Sequence, residues 1–272
     1  MRAAAAALLL GMSIAARAAD RPRVVSINPC VDAILMQVAD PRQIVAISHY
    51  SQDPRATSIP LDVARRFRAT SGTAEEVVAL APDLVMSGPH VSPSTIFALE
   101  RLHVTIMKFS VGESVAQSED EIRRVARAVG EPARGEQLIA SIEQAIAEAR
   151  PHDSRAVPAL MWLSGGMVPG AGTLADQLLQ LTGYRNMSAA YGLRQWDVLP
   201  LEPLLAAPPA VVLSLAPDEA TGDRMLQHPA VLKLKERVPF RTYPFRLLQC
   251  GGPTIIQAVA RLSEVRRELE SR

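Results

Sequence analysis

The chain has 272 residues, 48% apolar and 21% charged, the balance of a globular protein with apolar surface enough for a substantial core. Its formal net charge of +1 argues against nucleic acid or anionic membrane as a partner, since either would call for a strongly basic surface.

The first nineteen residues read as a secretory leader. Arg2 supplies a positive start, residues 3–14 are apolar, and Ala16-Arg17-Ala18 forms an A-x-A cleavage pattern. The segment is too short and wrongly flanked for a spanning helix, and no other stretch reaches about eighteen apolar residues. No cysteine follows the apolar run at the cleavage site, so no lipid anchor is indicated. The expectation is a soluble exported protein beginning near Ala19 or Asp20, whose remaining ~250 residues suit one large or two medium domains.

Short β-branched runs at 23–27, 44–48, 83–87 and 104–109 are nearly continuous rather than alternating. That is the signature of strands covered on both faces, as in a parallel sheet. Helical stretches lie between them at 30–39, 73–80 and 94–102, with Thr73 and Glu76 in capping-box spacing. Strand and helix alternating at this distance imply right-handed βαβ units.

A helix at 118–129 follows, stopped by Gly130-Glu131-Pro132. The run at 133–150 is helical without interruption, about 27 Å long. Leu138, Ile139, Ile142, Ala145, Ile146 and Ala149 form its single apolar face. It either bridges two lobes or covers one of them. Residues 151–154 form a linker, and strands resume at 159–163, 210–215 and 241–245. Helices at 173–182, closed by Gly183, and at 254–267 complete the second half.

The halves resemble each other. Glu75 and Glu202 each precede an apolar helical turn, a proline and a strand. The fold expected is α/β: two Rossmann-like lobes with parallel sheets, at 20–131 and 152–272, joined by one long helix at 132–151. The ligand cleft lies between the lobes.

Ligands of open parallel sheets bind outside the carboxyl ends of the strands. Asn28-Pro29-Cys30, His49-Tyr50-Ser51 and Gly88-Pro89-His90 occupy those positions in the first half. Ser164-Gly165-Gly166-Met167, Gln195-Trp196-Asp197 and the 248–253 loop with Cys250 occupy them in the second. Aromatic residues are only 4% of the chain, so Tyr50 and Trp196 in loops are informative. His49 and His90 have the chemistry to bind a metal through a ring nitrogen, although a lone loop histidine is usually polar surface. His103, His152 and His228 fall outside the cleft. Arg55, Arg194 and Arg246 are either anion contacts or surface charges.

The segments RVVSINPC, IVAISHYS, EEVVALAPDLVMSG, the GEP-led long helix, PGAGTLADQLLQLTGYRN and WDVLPLEPLLAAPPAVVLSL, taken in order, resemble one known family. The chain resembles the periplasmic substrate-binding proteins of ATP-driven (ABC) importers for cobalamin, ferric siderophores and haem. The resemblance covers nearly all of the chain after the leader. It implies two lobes on a rigid helix with limited hinge motion, a periplasmic location and no catalysis. The implied cargo is a metal chelate, handed to a permease dimer by a monomeric carrier that holds no intrinsic cofactor and no metal of its own. Glu75 and Glu202 match the acids that family members offer to arginine pockets on the permease; read alone, they are solvated helix-start charges. Tyr50 and Trp196 match cleft aromatics. The implied ligand-binding set is Asn28, Cys30, His49, Tyr50, His90, Trp196 and Cys250.

The cysteines depart from the cobalamin-binding pattern, in which a pair lies within the second lobe. Here Cys30 belongs to the first half and Cys250 to the second. Three states fit: separate reduced thiols packed as small apolar groups, a disulfide across the cleft, or contacts to a metal-bearing ligand. The alternative function is an exported thiol enzyme with Cys30 as nucleophile and His49 as base. No G-x-S-x-G, H-E-x-x-H or C-x-x-C motif supports it. A third reading is a structural two-lobed scaffold, which would fill the interface with large side chains.

Overall fold

The computed structural model describes residues 21–215 and 224–271; the leader read at 1–19 lies outside them. The first lobe runs β1 (Val24–Ser26), α1 (Pro29–Val38), β2 (Ile44–Ser48), α2 (Leu61–Ala64), β3 (Ala69–Thr70), α3 (Ala74–Ala79), β4 (Leu84–Ser87), α4 (Pro93–Arg101) and β5 (Ile106–Lys108). Helices α5 (Val115–Ala128) and α6 (Pro132–Ala149) lead out of it. The second lobe opens with β6 (Val157–Trp162), β7 (Met167–Pro169), α7 (Leu174–Leu181), β8 (Tyr184–Asn186), α8 (Met187–Ala190) and β9 (Trp196–Val198). It closes with α9 (Leu201–Ala206), β10 (Val211–Ser214), α10 (Pro229–Lys235), β11 (Phe240–Thr242) and α11 (Thr254–Glu270).

Both lobes carry parallel sheets, in the orders β3-β2-β1-β4-β5 and β11-β10-β6-β8. The near-continuous apolar runs follow from cover on both faces. In β1, Val24 points to the layer of α1, α5 and α6, while Val25 points to α3 and α4 through Val77 and Leu99. In β6, Ala159 and Met161 face the α6–α7–α11 layer, whereas Leu160 and Trp162 face the cluster that includes Leu204 of α9 and Val231 of α10.

The lobes share more than a rod. One buried apolar cluster runs from Val24, Ile47 and Met86 through Ile122, Ile139 and Ile142 to Met161, Val211 and Val259. Helix α6 packs on α1, α5 and α11 at its centre. The two lobes expected on one long helix are present, and at their base the inner helices merge into a single core.

Local chemistry sets the boundaries. Gly130, at φ 76°, ends α5 as expected. Thr73 caps α3 by accepting from the Glu76 amide, but the Glu76 carboxylate turns away to the Thr70 hydroxyl and the Ser71 amide, both at 2.8 Å. The capping box read from the spacing is thus half formed. Strands β3, β7, β8 and β9 carry too few consecutive apolar residues to announce themselves; β7 and β9 pair antiparallel as a small separate sheet.

Candidate functional site

The seam between the lobes is built at the ends of strands and the starts of helices. The Asn28 side chain caps α1 by accepting from the Cys30 amide at 3.0 Å. A Cβ at position 88 would sit 2.8 Å from Asn28 Nδ2, so glycine there lets the β4 loop close over it. Asn28 is consequently buried.

Cys30, beside it, is joined to Cys250 in a disulfide with Cα atoms 5.2 Å apart. Among the described residues no cysteine is free. Three readings are corrected by this bond. Neither sulfur is a separate thiol or a thiolate ligand, and Cys30 is no nucleophile for an enzyme. The local reason is that the N-terminus of α1 abuts the loop before α11, where a Cβ on Gly252 would lie 3.1 Å from Ile34. Polar bonds continue the seam: Gln249 Nε2 donates to Arg55 O at 3.4 Å, the Gly252 amide to Ser118 Oγ, and the Val115 amide to Gln177 Oε1 at 2.8 Å. A cavity of about 350 Å³ lies between the starts of α5 and α7, lined by Ser114, Gln117, Thr173 and Gln177 among others. A larger hollow of about 630 Å³ sits at edge strand β8 and the N-terminal end of β6, away from the strand ends that form the seam; its position gives it no part in the cleft.

His49 and Tyr50 form a second cluster. They occupy the single turn after β2, their ring centroids 4.1 Å apart and tilted by 35°. His49 Nδ1 lies 3.2 Å from Thr70 O. Tyr50 is 54% exposed, unusual for so large a ring. Trp196 is 41% exposed on β9. Its pairing with Pro169, and that of Val198 with Met167, put Trp196, Val198 and Met167 on one face of the small sheet, all three exposed. His90 stands exposed in its own turn after β4. The structure thus groups Asn28, Cys30 and Cys250, groups His49 with Tyr50, and leaves His90 in its own turn and Trp196, read from the sequence as a loop residue, on strand β9.

Glu75 and Glu202 are exposed, each in the first turn of a six-residue helix that leads through proline to a central strand. His228 caps α10, its ring nitrogen accepting from the Ala230 amide. Arg246 donates to Gln257, and Arg55 lies near Asp53.

Sequence reasoning missed Asp32. It lies in the first turn of α1, fully buried, and Oδ2 accepts from the Ser48 amide at 2.9 Å and the Ser51 hydroxyl at 2.6 Å. Burial pushes its carboxyl up to about 7, against the hydrogen bonds from Ser51 and Ser48 that favour the charged form. Val198 was missed too, and Met167 was read only as part of the Ser164-Gly165-Gly166-Met167 strand end; neither stands in a pattern that distinguishes an exposed apolar residue from a buried one. Among the described residues, no group of three or more His, Cys, Asp or Glu is placed to hold a metal ion, and no helix is long and apolar enough to cross a membrane.

A family model described as "Periplasmic binding protein" matches residues 24–235. A "Cobalamin-binding protein" of Halobacterium salinarum is 25% identical over 171 residues, which cover 61% of this chain. The chain spans about half, 46%, of the length of the curated relatives it matches. Two solved structures share the fold. The periplasmic heme-binding protein RhuT from Roseiflexus sp. RS-1, in apo form, superposes with a TM-score of 0.75 at 24% identity, covering 92% of this chain and 99% of that one. The periplasmic heme-binding protein HutB of Vibrio cholerae gives 0.73 at 18% identity, over 90% and 98%.

Proposed function

This chain belongs to the periplasmic binding protein family, and we propose that within it the chain is the substrate-binding component of an ABC importer for a metal chelate. Cobalamin, a ferric siderophore and haem are the candidate cargoes. The observation that carries this reading is the pair of half-exposed aromatic rings, Tyr50 in the turn after β2 and Trp196 on β9, in two different lobes whose bases are locked together. In a chain this poor in aromatics, rings left in water suit stacking on a flat ligand. The printed ligands of the relatives, cobalamin and heme, are of that kind.

In this reading Tyr50 and Trp196 face the cargo from opposite lobes. His49 and His90 offer ring nitrogens to its metal. Asn28 and the Cys30–Cys250 bridge form the floor. The metal arrives with the cargo and is not a resident cofactor. Glu75 and Glu202, one per lobe, dock the carrier on a permease dimer, because two separated carboxylates fix orientation and speed encounter without a large interface. The carrier works as an exported monomer in the periplasm and performs no chemistry.

The test is titration of the purified chain with hemin, cyanocobalamin and ferric enterobactin. At least one is expected to quench tryptophan fluorescence with a Kd near or below ~1 μM. At a hundredfold excess over Kd it adds about 2.7 kcal/mol of stability. Tyr50→Ala and Trp196→Ala each weaken that binding about tenfold. Failure of every probe to bind overturns the assignment.

A further inference from the structure

Asp32 combines full burial with the absence of any cation set against it among the described residues. A buried charge without a partner is costly. Serine, threonine or asparagine would accept the same hydrogen bonds without that cost. Oδ2 takes the Ser48 amide and the Ser51 hydroxyl. Those two residues bracket His49 and Tyr50, so a single oxygen clamps both ends of the turn that carries the rings. Two residues earlier, Cys30 ties the same helical turn to the second lobe.

We propose that the Asp32 carboxylate is a positioning residue of the cargo cleft, fixing the angle at which the His49–Tyr50 turn presents its rings. The inference rests on the reading of Tyr50 as a cargo contact. It makes presentation of that ring depend on the charge at Asp32. When the carboxylate is ionised, both bonds to Oδ2 are charge-assisted and the turn is held firmly. Protonation weakens them. The carboxyl, pushed up by burial to about 7, changes charge near neutrality.

The other groups facing α1 do not compete for this role. From β1 comes the Ser26 hydroxyl, and from the turn itself the Ser48 and Ser51 hydroxyls. His49 is the titratable neighbour in the turn, and its Nδ1 is directed to Thr70 O at the sheet edge. On α5, Arg123 pairs with Glu119, Asp120 and Glu136 of α6, Arg124 donates to Lys108 O, and Glu121 Oε2 faces Gly112. Arg134 of α6 reaches Glu131 and the carbonyls of Val38 and Ala39, at the far end of α1.

The experiment is an NMR titration of the apo full chain between about pH 5 and about pH 9. The Ser48 amide and the Tyr50 ring are expected to shift together with one midpoint near neutrality. The transition disappears in Asp32→Asn and persists in His49→Gln. Ser51→Ala, which removes a bond favouring the charged form, moves the midpoint upward. In parallel, hemin binding to the wild type weakens about three- to tenfold from about pH 8 to about pH 5.5, and binding to Asp32→Asn stays flat across that range. No transition in the wild type, one that survives Asp32→Asn, one abolished by His49→Gln, or an unmoved midpoint in Ser51→Ala overturns the proposal. If hemin binds but the Ser48 and Tyr50 signals do not titrate together, this inference fails and the carrier reading stands. If they titrate as expected but no chelate binds, the carrier reading fails and the clamp stands.

Discussion

At the scale of single residues, Asp32 links site and stability. Its ordinary value of 3.8 applies to the unfolded chain, and burial raises it to about 7 in the folded one. Between those values the folded chain holds a proton that the unfolded chain has released. The stability it contributes is therefore fully present below about pH 4 and is lost as pH rises through about 7. A shift of this size corresponds to roughly 4 kcal/mol at most. Asp32→Asn removes the titration, so its melting temperature is expected to exceed that of the wild type at about pH 8 and to converge with it toward acid. Calorimetry at several pH values checks this; parallel pH profiles for the two proteins contradict it. Asp32 was not legible in the sequence, because an acid in the first turn of a helix ordinarily reads as a solvated complement to the dipole. Cys30 and Tyr50 were legible as strand-end residues, since strand ends can be located from apolar runs, whereas Trp196 reads as part of a long loop and in fact begins β9. Which of these residues touch was not legible, because pairing across 220 residues is a property of the fold. The bond between Cys30 and Cys250 stood among three open readings for that reason.

At the scale of elements, the long helix was the most readable part of the chain. Leu138, Ile139, Ile142, Ile146 and Ala149 of its apolar face are all buried. What the pattern did not reveal is the closeness of α6 to α5. A Cβ added at Gly135 would lie 2.6 Å from the Ala126 Cβ, and neither atom can rotate away. Replacing a helical glycine by alanine ordinarily gains about 1 kcal/mol. Here overpacking costs about 1–3 kcal/mol and outweighs it. Gly135→Ala is thus expected to lower the urea midpoint with an unchanged slope, and Ala126→Gly on that background to recover part of the loss. A stabilised Gly135→Ala would show that the helices separate freely. Strands β3, β8 and β9 escaped detection for a physical reason: Ala69–Thr70, Tyr184–Asn186 and Trp196–Val198 are two or three residues long and mix polar with apolar side chains. They are held by neighbours already in place, not by their own periodicity.

At the scale of the molecule, the repeated strand–helix pattern foretold two parallel-sheet lobes but not their fusion. Counting periodicities treats each half alone, whereas Ile122, Ile142 and Val259 contribute to one core for both. The disulfide adds a covalent tie at the same seam. In the chain-entropy account a loop of this length is stabilised by roughly 5 kcal/mol, with about 2–4 kcal/mol more usual in practice. Reduction, or Cys30→Ser with Cys250→Ser, is expected to lower the melting temperature by the same amount in either case, with the fold retained on the shared core. Unequal losses would mean that the serine hydroxyls, not the lost bond, cause the effect.

The tie also dictates an order of events during synthesis. Cys30 leaves the ribosome 220 residues before its partner, a wait of roughly 10–45 s at ordinary elongation rates. With one thiol pair in the chain there is no wrong intramolecular bridge to unmake. The errors open to oxidative maturation are premature capture of Cys30 by a second nascent copy or by a small-molecule thiol. Yield should accordingly depend on dilution and oxidant timing far more than on any shuffling catalyst.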